Sequence, residues 1–76
     1  MMEALLKQAL DEQGLTLYGA SQIIGAETDE ALKAIHHRLT RWLAGKPPRW
    51  AIAERDLSCL GYKVTIQVSR LNKQPE

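Results

Sequence analysis

The chain has 76 residues, which indicates a single domain with a thin core, because folding a chain of this size buries only about 60% of its unfolded surface. A large enclosed substrate cavity is therefore not expected. Hydrophobic residues make up 45% of the sequence and charged residues 25%, proportions that exclude wholesale disorder. The net charge of +1 hides an uneven distribution. Residues 1–32 carry one base and six acids, whereas residues 33–55 carry six bases and one acid.

This clustering of positive charge favours a polyanionic partner, because phosphate groups attract grouped Lys and Arg side chains more strongly than a diffuse net charge does. The alternative is that these charged residues form an ordinary solvated surface. No apolar run is long enough to span a membrane, and the first ten residues lack the pattern of a secretory signal, so we expect a cytoplasmic protein.

Candidates for catalysis or metal binding are few. Cys59 is the only cysteine, and the two histidines are adjacent rather than four residues apart, which is a poor ligand set for zinc. The sequence has no nucleophile with a matched base and no glycine-rich phosphate loop. We therefore expect no enzyme activity, no metal, no cofactor and no small-molecule substrate.

Two helices are predicted in the first third of the chain. Apolar residues at helical spacing predict a helix over residues 2–13 that Gly14 ends. Thr16 is a suitable N-cap for a second, short helix, and Gly25 is expected to end it in the left-handed conformation.

A long third helix is predicted over residues 29–44. Thr28 is its expected N-cap, and Asp29 and Glu30 then occupy the first turn, where the helix dipole favours acids. A helical wheel gathers six apolar residues into one stripe that faces the core, and Gly45 ends the helix. The stripe comprises Ala31, Leu32, Ile35, Leu39, Trp42 and Leu43. The opposite face comprises Lys33, His37, Thr40 and Arg41, with His36 and Arg38 on its flanks.

The last third predicts a fourth helix and then a strand. Pro48 fits the first turn of that helix, and Gly61 fits its end. Apolar and polar residues then alternate as they do in a strand. Because nothing else in the chain predicts a partner strand, we expect this strand to pair with its copy in a homodimer; the alternative is that it folds back over its own core. The residues of the predicted dimer contact are Tyr62, Val64, Ile66 and Val68.

The predicted organisation is a mainly α domain over residues 1–61, a dimerisation strand over residues 62–70 and a short tail over residues 71–76.

Three segments of the sequence resemble a known family. They are ALDEQGLTLYGASQIIG for the first two helices, RLTRWLAGK for the end of the third, and DLSCLGYKV for the last helix and its exit. With these segments in this order, the chain resembles the Cro/repressor-like (Xre-type) helix-turn-helix family.

The resemblance implies a four-helix domain that binds duplex DNA, with the third helix in the major groove and dimers on half-sites about 34 Å apart. Two departures stand out. The segment AETDEALK is extra, and it is expected to prolong the third helix at its N-terminal end, which brings acids towards the phosphates. Leu17 occupies the first position of the second helix, where the family often has a phosphate-contacting Gln.

The matching positions place basic and polar side chains at the DNA. Arg can bridge O6 and N7 of guanine, Thr can contact a thymine methyl group or a phosphate, and His can donate to a base or a phosphate. His37 and Arg41 are the strongest candidates, because the helical wheel and the resemblance agree on them. The full predicted set is Lys33, His36, His37, Arg38, Thr40, Arg41, Lys46 and Arg49.

The sequence therefore predicts a small, sequence-specific transcriptional regulator of bacterial or phage type. The alternative is a protein-interaction adaptor or antitoxin-like module that keeps the helix-turn-helix scaffold without contacting DNA. Such a module would hold a protein partner with the lengthened third helix or with the edge of the strand, and the acidic insert AETDEALK is the feature that favours this alternative.

Overall fold

The structure, a computed structural model, describes residues 2–64 and contains four α-helices within them. These are α1 (Met2–Gln13), α2 (Leu17–Thr28), α3 (Leu32–Leu43) and α4 (Trp50–Cys59). The predicted mainly α, four-helix architecture is confirmed. None of the four described helices has the length and hydropathy that a membrane span requires.

The core lies where α3 packs against α1 and α2, with α4 against α2. Trp42 is its largest fully buried side chain. The indole N–H of Trp42 donates to the carbonyl oxygen of Met2 at 2.8 Å, so a large apolar group is buried without an unsatisfied donor and α3 is tied to the start of α1. The other buried hydrophobic residues are Leu6, Ala9, Leu10, Ala20, Ile24, Ile35, Leu39, Ala53, Leu57 and Leu60.

The end of α3 follows from the glycine that the sequence places there. Gly45 has a φ of 90°, a left-handed conformation that costs glycine little. Its N–H donates to the carbonyl of Trp42, and the N–H of Lys46 donates to the carbonyl of Arg41. This pair of bonds is the Schellman motif, which satisfies the last carbonyls of a helix. The chain consequently turns at Gly45 and brings Lys46 back beside α3.

The predicted end of α2 at Gly25 is wrong, because α2 continues to Thr28 and the left-handed residue is Asp29, with a φ of 65°. A Cβ atom on Gly25 would lie 3.4 Å from Cδ1 of Ile35 and 3.6 Å from the carbonyl oxygen of Glu30. Gly25 is thus a position of close approach between α2 and the segment that follows, and not a helix stop.

The predicted start of the third helix is also wrong. The hydroxyl of Thr28 donates to the carbonyl of Ile24 at 2.9 Å, so Thr28 belongs to the last turn of α2 and does not cap α3. The segment AETDEALK is therefore divided: three residues lengthen α2, three form the turn and two begin α3. The expected prolongation of the third helix does not occur.

Two further predictions need correction near the C-terminus. Helix α4 begins at Trp50 after an N-cap at Arg49, so Pro48 lies before the helix and not in its first turn.

Residues 62–64, the first part of the predicted strand, have no strand conformation. The N–H of Tyr62 instead donates to the carbonyl of Leu57, and Tyr62 and Val64 pack against the core of their own chain. The remainder of the predicted strand, including Ile66 and Val68, lies outside the described residues.

The position of the α2 stop can be tested at Asp29. Replacing Asp29 by Gly relieves a left-handed conformation that L-residues adopt at a cost, so we expect the free energy of unfolding to rise by about 0.5–1 kcal/mol. The control Asp29→Val should lower it, because a β-branched residue is strained at positive φ. Urea unfolding followed by circular dichroism measures both. If Asp29 lay in the first turn of a helix, the glycine variant would be the less stable protein.

Candidate nucleic-acid interface

One face of α3 is exposed along its whole length and carries the predicted DNA-contacting side chains. It is exposed because Ile35, Leu39 and Trp42 are fully buried on the opposite side, and a helix that buries one stripe turns the other to solvent. The exposed residues of this face are Lys33, His36, His37, Thr40 and Arg41. We call this set the α3 face.

Lys46 joins the α3 face from the turn after the helix. A shallow hollow of about 340 Å³ brings it together with His37 and Arg41. The lining of this hollow also includes Arg38, Pro47 and Pro48. Arg49 is exposed but does not line the hollow, so the structure does not group it with the other candidates.

Arg38 is placed differently from its predicted neighbours, because its guanidinium faces two carboxylates. Its Nε donates to Oδ2 of Asp56 at 2.8 Å, and its Nη2 donates to Oδ1 of Asp56 at 2.9 Å. On its other side, Nη1 and Nη2 donate to the two oxygens of Glu30 at 3.1 and 3.0 Å. Arg38 therefore joins α3 to α4 and to the α2–α3 turn. Such paired bonds use the planar fork of arginine fully.

Asp56 is the reason that Arg38 lies inward. Its side chain is 0% exposed, and a buried carboxylate is costly unless a cation and hydrogen bonds compensate it. Arg55 adds a longer contact of 3.4 Å to Oδ1 of Asp56 and one of 2.8 Å to Oε1 of Glu30. We call these four residues the ion cluster: Glu30, Arg38, Arg55 and Asp56.

The ion cluster also accounts for the acid that the sequence placed near the phosphates. Hydrogen bonds from Arg38 hold the pKa of the Glu30 carboxyl below its usual value, so Glu30 is charged at neutral pH and faces two arginines. Its negative charge is thus balanced locally. Asp29, the other acid of the turn before α3, is exposed and is not part of the ion cluster.

A second hollow, of about 760 Å³, lies between the start of α2 and the α3 face, and its lining includes two residues that the sequence did not suggest. Tyr18 is 54% exposed, which is unusual for a large hydrophobic residue of this domain. Leu32, expected in the core, is only half-buried. Tyr18 does not share the helical face of Ala20 and Ile24, the buried apolar residues of α2. This offset in the helical spacing is the sequence signal that could have identified Tyr18 as exposed. Lys33, His36, His37 and Thr40 complete the lining.

Metal binding and cysteine chemistry are the two other kinds of site to consider. No group of three or more His, Cys, Asp or Glu side chains that could hold a metal ion occurs within residues 2–64. Cys59 packs against the core, and burial raises the pKa of its thiol, which makes it a weaker nucleophile than a free cysteine.

Comparisons of this chain with protein-family models, with curated proteins and with solved structures give no match. The resemblance to the Cro/repressor-like family therefore depends on the three segments quoted above.

The ion cluster predicts a large difference between two arginines of α3. Arg38→Met leaves Asp56 buried without its main partner, so we expect the free energy of unfolding to fall by about 3–5 kcal/mol. Arg41→Met, at an exposed position, should change it by less than about 0.5 kcal/mol. Urea unfolding of both variants provides the comparison.

Because Arg38→Met is expected to be unstable, Arg38→Met combined with Asp56→Leu serves as a rescue variant. Removing the buried carboxylate together with its partner should restore part of the lost stability. Equal stability of the Arg38→Met and Arg41→Met proteins would show that the buried pair does not have the role assigned to it.

Proposed function

We propose that this protein is a small, sequence-specific DNA-binding transcriptional regulator of bacterial or phage type that inserts α3 into the major groove of duplex DNA. The observation that carries the proposal is the α3 face, whose two adjoining hollows are lined by basic, polar and apolar residues without any acid. Of the two acids in the preceding turn, Glu30 is bound to Arg38 and Arg55, and Asp29 is exposed.

The side chains of the α3 face have the chemistry that DNA requires. Lys33, Arg41 and Lys46 are exposed cations suited to phosphates, and phosphate contacts supply much of the affinity of such complexes. His37 and Arg41 can contact base edges in the major groove, where donors and acceptors distinguish all four base pairs. Affinity and discrimination would thus come from one helix and the turn after it.

The geometry of α2 and α3 supports the same proposal. The two helices pack closely and are joined by a turn of three residues, 29–31, which is the length typical of a DNA-binding helix-turn-helix. Helix α3 has 12 residues, about 18 Å at 1.5 Å per residue. Because α3 begins at Leu32, its N-terminal end does not carry the acidic extension that would have met the phosphates.

The homodimer remains part of the proposal, because regulators of this type bind two half-sites about one helical turn apart. Tyr62 and Val64 of the predicted dimer contact pack against their own core. A dimer would therefore depend on residues beyond Val64, or on another surface.

The protein-interaction alternative has less support than the sequence suggested. It depended on a lengthened, acidic third helix or on the edge of the predicted strand. The insert lengthens α2 instead, and Glu30, one of its acids, is engaged by arginines. Residues 62–64 have no strand conformation. Duplex DNA is therefore the partner that we propose.

Fluorescence anisotropy with labelled random-sequence duplex DNA, measured over a series of salt concentrations, tests the proposal. We expect affinity to fall steeply with salt, with a slope of about −0.9 per phosphate contact on a double logarithmic plot. Arg41→Ala should weaken binding and reduce the slope by about 0.9 if Arg41 contacts a phosphate.

The matched control is Lys7→Ala, which removes an exposed cation of α1, a helix that presents none of the candidate residues. Lys7→Ala should bind DNA like the wild type. Absence of binding at low salt would refute the proposal, and equal losses in the Arg41→Ala and Lys7→Ala proteins would refute the assignment to α3.

A further inference from the structure

The larger hollow beside α3 combines an apolar wall with a basic rim. Tyr18 and Leu32 supply the apolar groups, whereas Lys33, His36 and His37 supply the nitrogen atoms. No acid lines the hollow. A ligand that fits this lining has a small apolar group next to a negative charge, because an apolar wall disfavours unpaired polar groups and the rim favours an anion.

Thr40 lines this hollow, but its hydroxyl proton is used within α3. Its Oγ1 donates to the carbonyl oxygen of His36 at 2.8 Å, a bond within the helix of the kind that Thr often forms. The hydroxyl proton is therefore already used, and Thr40 has none to donate to a phosphate or a base. The methyl group is the part of its side chain suited to a new apolar contact.

Within the major groove of DNA, one base carries an apolar group on its edge. Thymine presents a 5-methyl group, whereas the edges of adenine, guanine and cytosine present mainly hydrogen-bond donors and acceptors. A cytosine in the same place would present only a hydrogen atom at C5, so the space against the apolar wall would stay unfilled, and its N4 amino donor would replace the O4 acceptor of thymine beside that wall. A neighbouring phosphate supplies the negative charge that Lys33 would meet.

We propose that this hollow is a thymine-methyl site, in which the 5-methyl group packs against Tyr18, Leu32 and the methyl group of Thr40 while Lys33 binds a neighbouring phosphate. The proposal rests on the proposed function, because it assumes that the α3 face meets duplex DNA. It adds a base preference and assigns Tyr18, from α2, to the specificity of the protein.

The experiment begins with selection of tightly bound duplexes from a random library. Each thymine of a selected duplex is then replaced singly by uracil, which lacks only the 5-methyl group, and affinities are measured by anisotropy. We expect one position of a half-site at which uracil weakens wild-type binding about fourfold, the factor that corresponds to burial of one methyl group.

Two variants assign that effect to the hollow. Thr40→Ser keeps a hydroxyl for the bond to His36 but removes the methyl group, and Tyr18→Ala removes the aromatic wall. Each should bind the thymine duplex several-fold more weakly than the wild type and should lose most of the thymine–uracil difference. Arg41→Ala is the matched control, because Arg41 does not line this hollow; its overall affinity should fall while the thymine–uracil difference is kept.

The outcomes separate this inference from the proposed function. Sequence-specific DNA binding with no uracil-sensitive position, or with a thymine–uracil difference that survives both Tyr18→Ala and Thr40→Ser, would overturn the thymine-methyl site and leave the proposed function intact. Salt-dependent binding with no preferred sequence would overturn both the thymine-methyl site and the sequence specificity. Absence of DNA binding at low salt would overturn both the thymine-methyl site and the proposed function.

Discussion

The buried pair of Arg38 and Asp56 is the contact on which the arrangement of this domain depends. The carboxylate of Asp56 is fully buried, and a buried charge is costly unless a cation and hydrogen bonds compensate it. Arg38 supplies both, with hydrogen bonds of 2.8 and 2.9 Å to Asp56. Because Arg38 is in the middle of α3 and Asp56 is in α4, the pair constrains the rotation of α3 about its own axis, together with the buried side chains of Ile35, Leu39 and Trp42. Apolar packing is less directional than a hydrogen-bonded charged pair, because the paired hydrogen bonds constrain the relative orientation of the two side chains.

The proposed interface follows from that rotation. The residues on the side of α3 away from the buried Ile35, Leu39 and Trp42 are exposed, His37 and Arg41 among them. Arg38 lies on the flank of that side, where its guanidinium reaches Asp56. The same arginine binds Glu30 and so removes a free negative charge from the start of the helix. Arg38 therefore helps to orient the basic surface and balances the acid beside it, although the sequence alone had placed Arg38 among the DNA contacts.

Local patterns predicted the parts of the fold that depend on neighbours in sequence. The bounds of α1, the buried stripe Ile35, Leu39 and Trp42 of α3 and the glycine at its end are of this kind, since helix period and left-handed glycines are local. Ala31, also predicted in that stripe, is an exposed N-cap. The α2–α3 boundary was not predictable in this way, because Gly25 and Thr28 each suit two roles and contacts with Ile35 and Ile24 decide between them. The inward position of Arg38 depends on Asp56, 18 residues away in the sequence. A helical wheel of α3 cannot predict this contact, because it shows only the residues of α3.

The central claim is that the α3 face, held by the buried pair, is the surface that meets DNA. The most direct measurement is a titration of ¹⁵N-labelled protein with a short random-sequence duplex at low salt, followed by amide chemical shifts. We expect the largest shifts in residues 33–41, with further changes at Tyr18 and Lys46 and little change along α1. Shifts concentrated on α1 or α4, or no shifts at all, would contradict this account.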